Sequence, residues 1–420
     1  MIKNLLSEPL SCDDDVVQAG EVLDLFCQWT RARMNKKKTK ALGLGNWRHR
    51  SQWPLTWLES LSTLSLLGIK FSPPIVETAD RVWKDAFGHL HGILRENASR
   101  RFTLYQRVNF IKTKALPRTV YIAHILQCNG QMADRILSVA MNYIWMGKVE
   151  RPQRAVVYRP VNQGGLGMIH VGLFYRSLFL CPIYKNLTGP ESPECSLLRF
   201  WMSFPLRTIL PSVFRRNIQP FAVVKRPPYL QEPLHHINNL LSSSILVQGR
   251  PMVHRNNYRH WIQEVSSPGK IEILRPNLDW KKIWVETAVL PTNIRETMFL
   301  FNQRLLPTKT RCHRLDSTMD QNCQFCKKDP ETDEHLMIHC HLRQPLWSWL
   351  EETARLLGCR TNPDEIIRGH IGPTENLRTI FTLVAAYIFT TLKERSHQRI
   401  PRREEVENLW VSLCPPVPNP

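Results

Sequence analysis

The stretch CQFCKKDPETDEHLMIHC, residues 323–340, restricts this chain more than any other. It sets Cys323-x2-Cys326-x8-His335-x4-Cys340 in order. A C-x2-C turn lets two thiolates converge on one ion. His335 and Cys340, five apart, can face the same side of a short helix. Three thiolates and one imidazole form a closed tetrahedral set, the pattern of structural rather than catalytic zinc. No coordination position is left for a water, which argues against hydrolysis at this metal. Cys312, His313, His339 and His341 stand nearby and could replace one of the four. Phe325 and Trp347 could stack on bases, but Trp347 is expected to build the small core that a zinc loop otherwise lacks.

The metal reading fits a reduced compartment. The 11 cysteines are scattered apart from this one cluster, and clustered cysteines inside a cell suggest metal rather than disulfides. The N-terminal MIKNLLSEPLSCDDD shows no signal peptide. The most apolar late stretch, TIFTLVAAYIFTTL (379–392), is shorter than the ~20 residues of a membrane span and reads as a buried helix. An intracellular protein of the nucleus and/or cytoplasm is expected, with neither a membrane nor a small-molecule substrate as partner.

Charge supplies the partner class. Lys and Arg number 56 against 36 Asp and Glu, a net charge of +20, and such an excess is most commonly used on phosphates. The excess is local. RARMNKKKTKALGLGNWRHR (31–50) carries eight basic residues and no acid, and residues 81–160 carry fourteen against four. Phe102, Tyr105, Phe110, Tyr121, Tyr143 and Trp145 are interleaved with the second group. RNA and/or DNA is the expected partner. Lys36, Lys37, Lys38, Lys40, Gly68, Arg100, Arg101, Arg107, Lys112 and Lys114 are the candidate contacts.

Periodicity places these residues on elements. Val16, Ala19, Val22, Leu23, Phe26 and Cys27 fall at helical spacing behind Asp13, Asp14 and Asp15. ALGLG (41–45) and LSLLGIKFSPP (64–74) read as strands, the second stopped by Pro73–Pro74. Residues 76–150 are mostly helical, with breaks at Pro117 and at CNG (128–130). Two helices follow around 171–203. Residues 205–278, rich in proline, read as an irregular connector. DWKKIWVETAVLPTNIRETMFLFNQRLLPTKTR (279–311) gives two helices joined at Pro291, with further helices near 344–358 and 375–398. CPPVPNP cannot continue a helix. The expected class is α+β, mainly α.

The ordered series of motifs resembles the C-terminal half of reverse transcriptases from non-LTR (LINE-type) retrotransposons. LFCQWTRARMNKKKTKALGLG is similar to the palm segment that follows the catalytic aspartates; Asn35, Lys38 and Thr39 match its Asn-x-x-Lys-Ser element, and Arg31 stands where glycine is usual. LLGIKF resembles the primer-grip hairpin. RFTLYQRVNFIKTKALPRTVYIAHIL and RILSVAMNYIWMGK look like the thumb, closing on the family's FxWxG element at Tyr143, Trp145 and Gly147. GGLGM (164–168) is similar to the GGLG after the thumb. LPTKTRCHRL, the cysteine cluster with its ET..EH spacing, and Trp347 resemble the C-terminal zinc-binding region. The resemblance implies five parts: a palm remnant with primer-grip hairpin (1–75), a helical thumb and post-thumb helices (76–204), a connector (205–278), a helical zinc-binding domain (279–400) and a tail (401–420).

The family's activity is RNA-directed DNA polymerisation, which needs carboxylates converging on two metal ions. In the family two of these come from a Tyr/Phe-Ala-Asp-Asp hairpin, and no such tetrapeptide occurs in the 420 residues. Asp13–Asp15 follow Ser11–Cys12 and stand where the family has a variable acidic start to the next helix. Aspartates in a first turn cap free N–H groups and favour the helix dipole, worth ~0.3–1 kcal/mol each. The expectation is therefore a truncated, reverse-transcriptase-like protein that binds RNA or DNA through a basic thumb and a zinc knuckle. The alternatives are a polymerase part completed by a missing N-terminal half, a host-recruited scaffold without a nucleic-acid role, and a relic reading frame.

Overall fold

The acidic triplet stands at the head of a helix. In the computed structural model, α1 (Asp13–Thr30) carries Asp13, Asp14 and Asp15 in its first turn. The structure describes residues 13–43, 47–66, 68–72, 75–148, 152–190, 192–206, 228–242, 251–265, 281, 285, 289–360, 365 and 376–414. A 3-10 turn at Lys36–Lys38 leads into β1 (Lys40–Ala41), then β2 (Glu59–Ser60), β3 (Leu64–Leu66) and β4 (Ile69–Phe71). The helices that follow are α2 (Ile75–Glu96), α3 (Leu104–Phe110), α4 (Pro117–Ile125), α5 (Gly130–Trp145), α6 (Arg154–Tyr158), α7 (Val171–Thr188), α8 (Pro193–Leu206), α9 (Pro228–Ser242) and α10 (His254–Val265). Toward the C-terminus come α11 (Thr292–Asn302), α12 (Lys309–His313), α13 (Gln344–Leu356), α14 (Leu377–Ser396) and α15 (Arg403–Leu413). The class is α+β, mainly α.

Contacts divide the described residues into two compact units. One draws on residues 1–97, 113–140 and 170–263, the other on 98–112, 141–169 and 264–420.

In the first unit the strands are short. β1 pairs in parallel with β2, Lys40 opposite Glu59, and β3 pairs antiparallel with β4, Leu66 opposite Ile69. The stretch that periodicity gives as one strand is thus a hairpin, the form the resemblance implies. Gly68, at φ 84°, takes the left-handed conformation that this tight turn requires. ALGLG contributes only Ala41 to a strand, and its residues 44–45 lie outside the described residues.

Helices bury the core of this unit. Trp83 of α2 donates from Nε1 to the Leu126 carbonyl at 3.3 Å, and its ring lies 4.9 Å from that of Tyr175 on α7. The Tyr175 hydroxyl meets Thr119 Oγ1 of α4 at 2.6 Å, which satisfies both buried groups. α7 buries Leu173, Leu180, Tyr184 and Leu187 against Met202 of α8, Leu234, Ile237 and Leu240 of α9 and Trp261 of α10.

The described parts of residues 205–278 therefore include helix, where sequence gives an irregular connector. Leu230, Leu234, Ile237 and Leu241 do recur at helical spacing. Their stripe is obscured by prolines, yet Pro228 stands in the first turn, where a missing N–H costs nothing. α10 is too polar to show a stripe, and it is held by the buried Asn257 and Trp261.

In the second unit, α3 opens on a capping box in which Thr103 and Gln106 satisfy each other's backbone N–H groups. The GGLG segment turns tightly. The Gly167 N–H reaches the Arg159 carbonyl at 2.7 Å and that of Met168 reaches Val157 at 3.0 Å. A Cβ on Gly165 would collide with the Arg159 carbonyl oxygen. α14 is buried on nearly every side, from Ile380 to Ile388, and so reads as uniformly apolar. α11, α13 and α15 pack on it. α15 lies within the stretch taken as tail; its Val406 is buried, and Cys414 is its C-cap before the closing prolines.

Two substitutions test these backbone assignments. Arg31 ends α1 at φ 55°, where a side chain costs ~1–2 kcal/mol, part of which glycine loses again in unfolded-state entropy. Arg31→Gly is expected to raise stability by about 0.5–1 kcal/mol in urea denaturation. Gly165→Ala is expected to lower it by about 2–3 kcal/mol in the same assay. A neutral result for either removes the assigned backbone geometry.

Candidate metal centre

The local fold around the cysteine cluster is set by backbone hydrogen bonds. An isolated bridge joins Asn322 to Pro330, and the Cys323 N–H donates to the Asp329 carbonyl at 2.7 Å. The Lys327 N–H returns to the Cys323 carbonyl at 2.9 Å, with Lys327 at φ 58° closing the turn. This loop aims its own N–H groups at sulfur: those of Phe325 and Cys326 at Cys323, and those of Lys328 and Asp329 at Cys326.

The second pair of candidates depends on an unusual helical turn. In an α-helix, residues five apart lie about 140° from each other. Here residues His335–His339 form a π turn, and the Cys340 N–H donates to the His335 carbonyl at 2.9 Å. The wider turn brings position i+5 back over position i. The x4 spacing between His335 and Cys340 is thus satisfied.

The four ligand atoms lie within 4.8 Å of one another, and all four residues are buried. Cys323 Sγ and Cys340 Sγ are 4.0 Å apart, and Cys326 Sγ is 3.4 Å from His335 Nε2. A tetrahedral zinc ion with Zn–S about 2.3 Å and Zn–N about 2.0–2.1 Å has S···S edges of about 3.8 Å and S···N edges of about 3.6 Å. The sulfurs are far beyond the ~2.05 Å of a disulfide. The Asp329 carboxylate lies 4.0 Å from His335 Nδ1 and 4.0 Å from Cys326 Sγ, at the edge of the cluster.

Electrostatics point the same way. Burial pushes the Cys323 thiol up to about 12, against the pull of backbone N–H groups from Cys326 and Phe325. Burial also raises Cys340. For Cys326, burial acts upward, but the N–H groups of Asp329 and Lys328 and the thiols of Cys323 and Cys340 outweigh it and bring it below the ordinary value. Burial holds the His335 imidazole below its usual value, which favours the neutral, ligating form. Burial opposes the thiolate forms of Cys323 and Cys340, and a divalent cation is what would make three thiolates compatible in one buried site.

A buried carboxylate fixes the loop to its surroundings. Glu331 is 0% exposed. Its Oε1 accepts from the Lys309 N–H at 2.9 Å and from Arg395 Nε at 3.0 Å, and its Oε2 accepts from the Gln324 N–H at 2.8 Å. Sequence reading did not single out Glu331, although it is the first acid of the ET..EH element. Phe325 and Trp347 are both buried, and Trp347 packs against Tyr387 with centroids 5.9 Å apart, so both rings belong to the core.

Of the spare candidates, only the exposed His341 joins a ligand group among the described residues, with Cys326 and Asp329. His313 instead places Nδ1 2.6 Å from the Met319 carbonyl.

The basic candidates are spread over both units. Lys36, Lys37 and Lys38 are exposed on a turn that Asn35 braces by accepting from the Lys38 N–H at 3.2 Å. Lys40 is paired with Glu59, which offsets its charge. Arg100 and Arg101 are exposed, with Arg100 5.9 Å from the Phe102 ring centroid. Arg107 is committed to the carbonyls of Phe102 and Ile144, while Lys112 and Lys114 are exposed. Lys36 to Lys40, Gly68 and Lys114 belong to the first unit, and Arg100, Arg101, Arg107 and Lys112 to the second.

Comparison with known proteins bears on the same region. Residues 267–347 match the family model described as zinc-binding in reverse transcriptase. No curated protein matches the chain. The chain thus carries a reverse-transcriptase-associated zinc-binding region, and its Cys/His cluster lies inside the match. No helix of the described residues is long and apolar enough to cross a membrane.

Glu331→Ala removes one buried charge and leaves Arg395 and two backbone N–H groups without it. A loss of about 3–5 kcal/mol is expected in urea denaturation followed by tryptophan fluorescence. An unchanged midpoint would mean that the loop is held by other contacts.

Proposed function

We propose that this chain is the palm-end, thumb and zinc-binding part of a non-LTR (LINE-type) retrotransposon reverse-transcriptase-like protein, and that it binds RNA or DNA strands. The observation that carries the reading is the buried convergence of Cys323, Cys326, His335 and Cys340 inside the segment that matches the reverse-transcriptase zinc-binding family. The bound metal in this reading is zinc. It holds the knuckle folded and, with four protein ligands, offers no open position for chemistry.

The binding role is supported by the net charge of +20 and by the exposure of Lys36, Lys37, Lys38, Arg100, Arg101, Lys112 and Lys114. Lysine and arginine on such a surface neutralise phosphates and release counterions. Polymerisation is not assigned to these 420 residues, which contain no aromatic-Ala-Asp-Asp segment to hold two catalytic metals.

Metal analysis of the purified protein is expected to give one zinc per chain, lost in Cys323→Ser plus Cys326→Ser. Binding to single-stranded RNA, duplex DNA and an RNA–DNA hybrid is expected to weaken steeply with salt, the log–log slope falling by about 0.7–0.9 for each phosphate neutralised. Replacing Lys36, Lys37 and Lys38 together by alanine is expected to flatten that slope by up to about 3. Salt-independent affinity, or none, would overturn the nucleic-acid reading. Primer extension on an RNA template with Mg²⁺ by the chain alone would overturn its non-catalytic part.

A further inference from the structure

Among the described residues, one buried cation of the second unit has no acidic partner. Arg343 is 2% exposed. Its Nη1 donates to the Leu336 carbonyl, its Nη2 to Thr391 Oγ1 at 2.5 Å, and its Nε makes no hydrogen bond among the described residues. The guanidinium carbon sits 4.8 Å from the Tyr387 ring centroid and 5.8 Å from that of Phe325. Among the described residues no carboxylate pairs with it. A buried cation is ordinarily paired, because an isolated charge in a low-dielectric interior is costly.

The positions of its neighbours say where the counter-charge lies. Leu336 follows His335, Phe325 precedes Cys326, and Arg343 itself follows Cys340 by three residues. Tyr387, beneath the guanidinium, donates its hydroxyl to the Met337 carbonyl at 2.6 Å, inside the same π turn. The side chain therefore lies against the chain neighbours of two candidate ligands, His335 and Cys326, and starts three residues after a third, Cys340. Three thiolates and one neutral imidazole around a divalent ion leave one net negative charge. Arg343 carries one positive charge in the same core.

We infer that Arg343 is the counter-charge of the metal centre, a positioning residue that couples metal loading to the docking of the cysteine loop on α14. The inference rests on the reading of Cys323, Cys326, His335 and Cys340 as zinc ligands. Without the ion, Arg343 is a buried charge with no acidic partner among the described residues. With the ion it faces a centre of opposite charge. Thr391 and Tyr387, both on α14, hold the guanidinium over the loop, so the attraction pulls loop and helix together. Charge neutralisation by an outer group of this kind raises metal affinity by stabilising the loaded state.

The test measures zinc affinity of the full chain by competition with a chromophoric chelator, with the cobalt absorption spectrum as a second readout. Arg343→Met is expected to bind zinc about 10–100-fold more weakly, and Arg343→Lys is expected to recover most of the loss. Charge is separated from packing in a Cys340→His background, where two thiolates and two imidazoles leave no net charge on the loaded site. There Arg343→Met is expected to change affinity by less than about threefold, since the charge term is gone.

Melting supplies the measurement that a merely structural role would not reproduce. Zinc-free Arg343→Met is expected to melt at or above zinc-free wild type, because an uncompensated buried charge has been removed. The zinc-loaded variant is expected to melt below zinc-loaded wild type. Equal zinc binding by Arg343→Met and wild type, or an equal loss in both ligand backgrounds, overturns the inference and leaves the zinc site standing. So does a zinc-free Arg343→Met that melts well below zinc-free wild type or does not fold. A wild-type chain that binds no zinc overturns the metal-centre reading itself.

Discussion

The carboxylate of Glu331, itself without solvent exposure, accepts hydrogen bonds from the Lys309 and Gln324 backbone N–H groups and from Arg395. Three segments of chain meet there: the start of α12, the cysteine loop and the end of α14. A carboxylate removed from water needs each of its lone pairs satisfied, and these donors can satisfy them only when the three segments are in place. The order of the second unit therefore depends on one residue that is neither a metal ligand nor part of an apolar stripe.

This tie changes what the cysteine cluster is. A free-standing knuckle has little apolar area, and its metal must supply most of its folding energy. Here the loop is seated on helices. Trp347 and Tyr387 pack beside it, Phe325 is buried under Arg343, and Glu331 binds it to Arg395. The aromatic rings that could have stacked on bases are spent on this seat. Any contact with a polyanion then falls to the exposed basic residues elsewhere, such as Lys36, Lys37, Lys38, Arg100 and Arg101. In the proposed zinc-loaded form the metal would have a structural part, holding the turn from Cys323 to Cys340 in the shape that the seat accepts.

Much of the local structure was legible because its cause is local. The acidic triplet read as a helix start, and α1 carries it in its first turn, where aspartate is favoured. The period of two gave one strand over 64–74, and only the resemblance of LLGIKF to a hairpin anticipated the turn that Gly68 makes. α9 and α10 were read as irregular connection, since prolines at 228 and 233 and a run of polar residues hid the stripe that meets α7. α15 was hidden between Pro401 and the closing prolines. Its case for being a helix is Val406, which is apolar only in the service of α14.

Left-handed residues divide the same way. Glycines at 68, 164 and 167 announce a positive φ, whereas Arg31, Met146, Arg304, Lys327 and Gln398 adopt it without any such sign.

The sequence by itself determined the candidate ligand set. Covalent spacing decides which side chains can meet around one ion, so C-x2-C and His-x4-Cys restrict the site before any tertiary contact exists, and the π turn at His335–His339 only realises that spacing. Tertiary structure alone decided what surrounds the set. Arg395 stands 64 residues from Glu331 and Thr391 stands 48 from Arg343, and no periodicity or spacing links positions so far apart. Their pairing arises when α14 is buried and its two polar contacts must find partners or lose the free energy of their hydration.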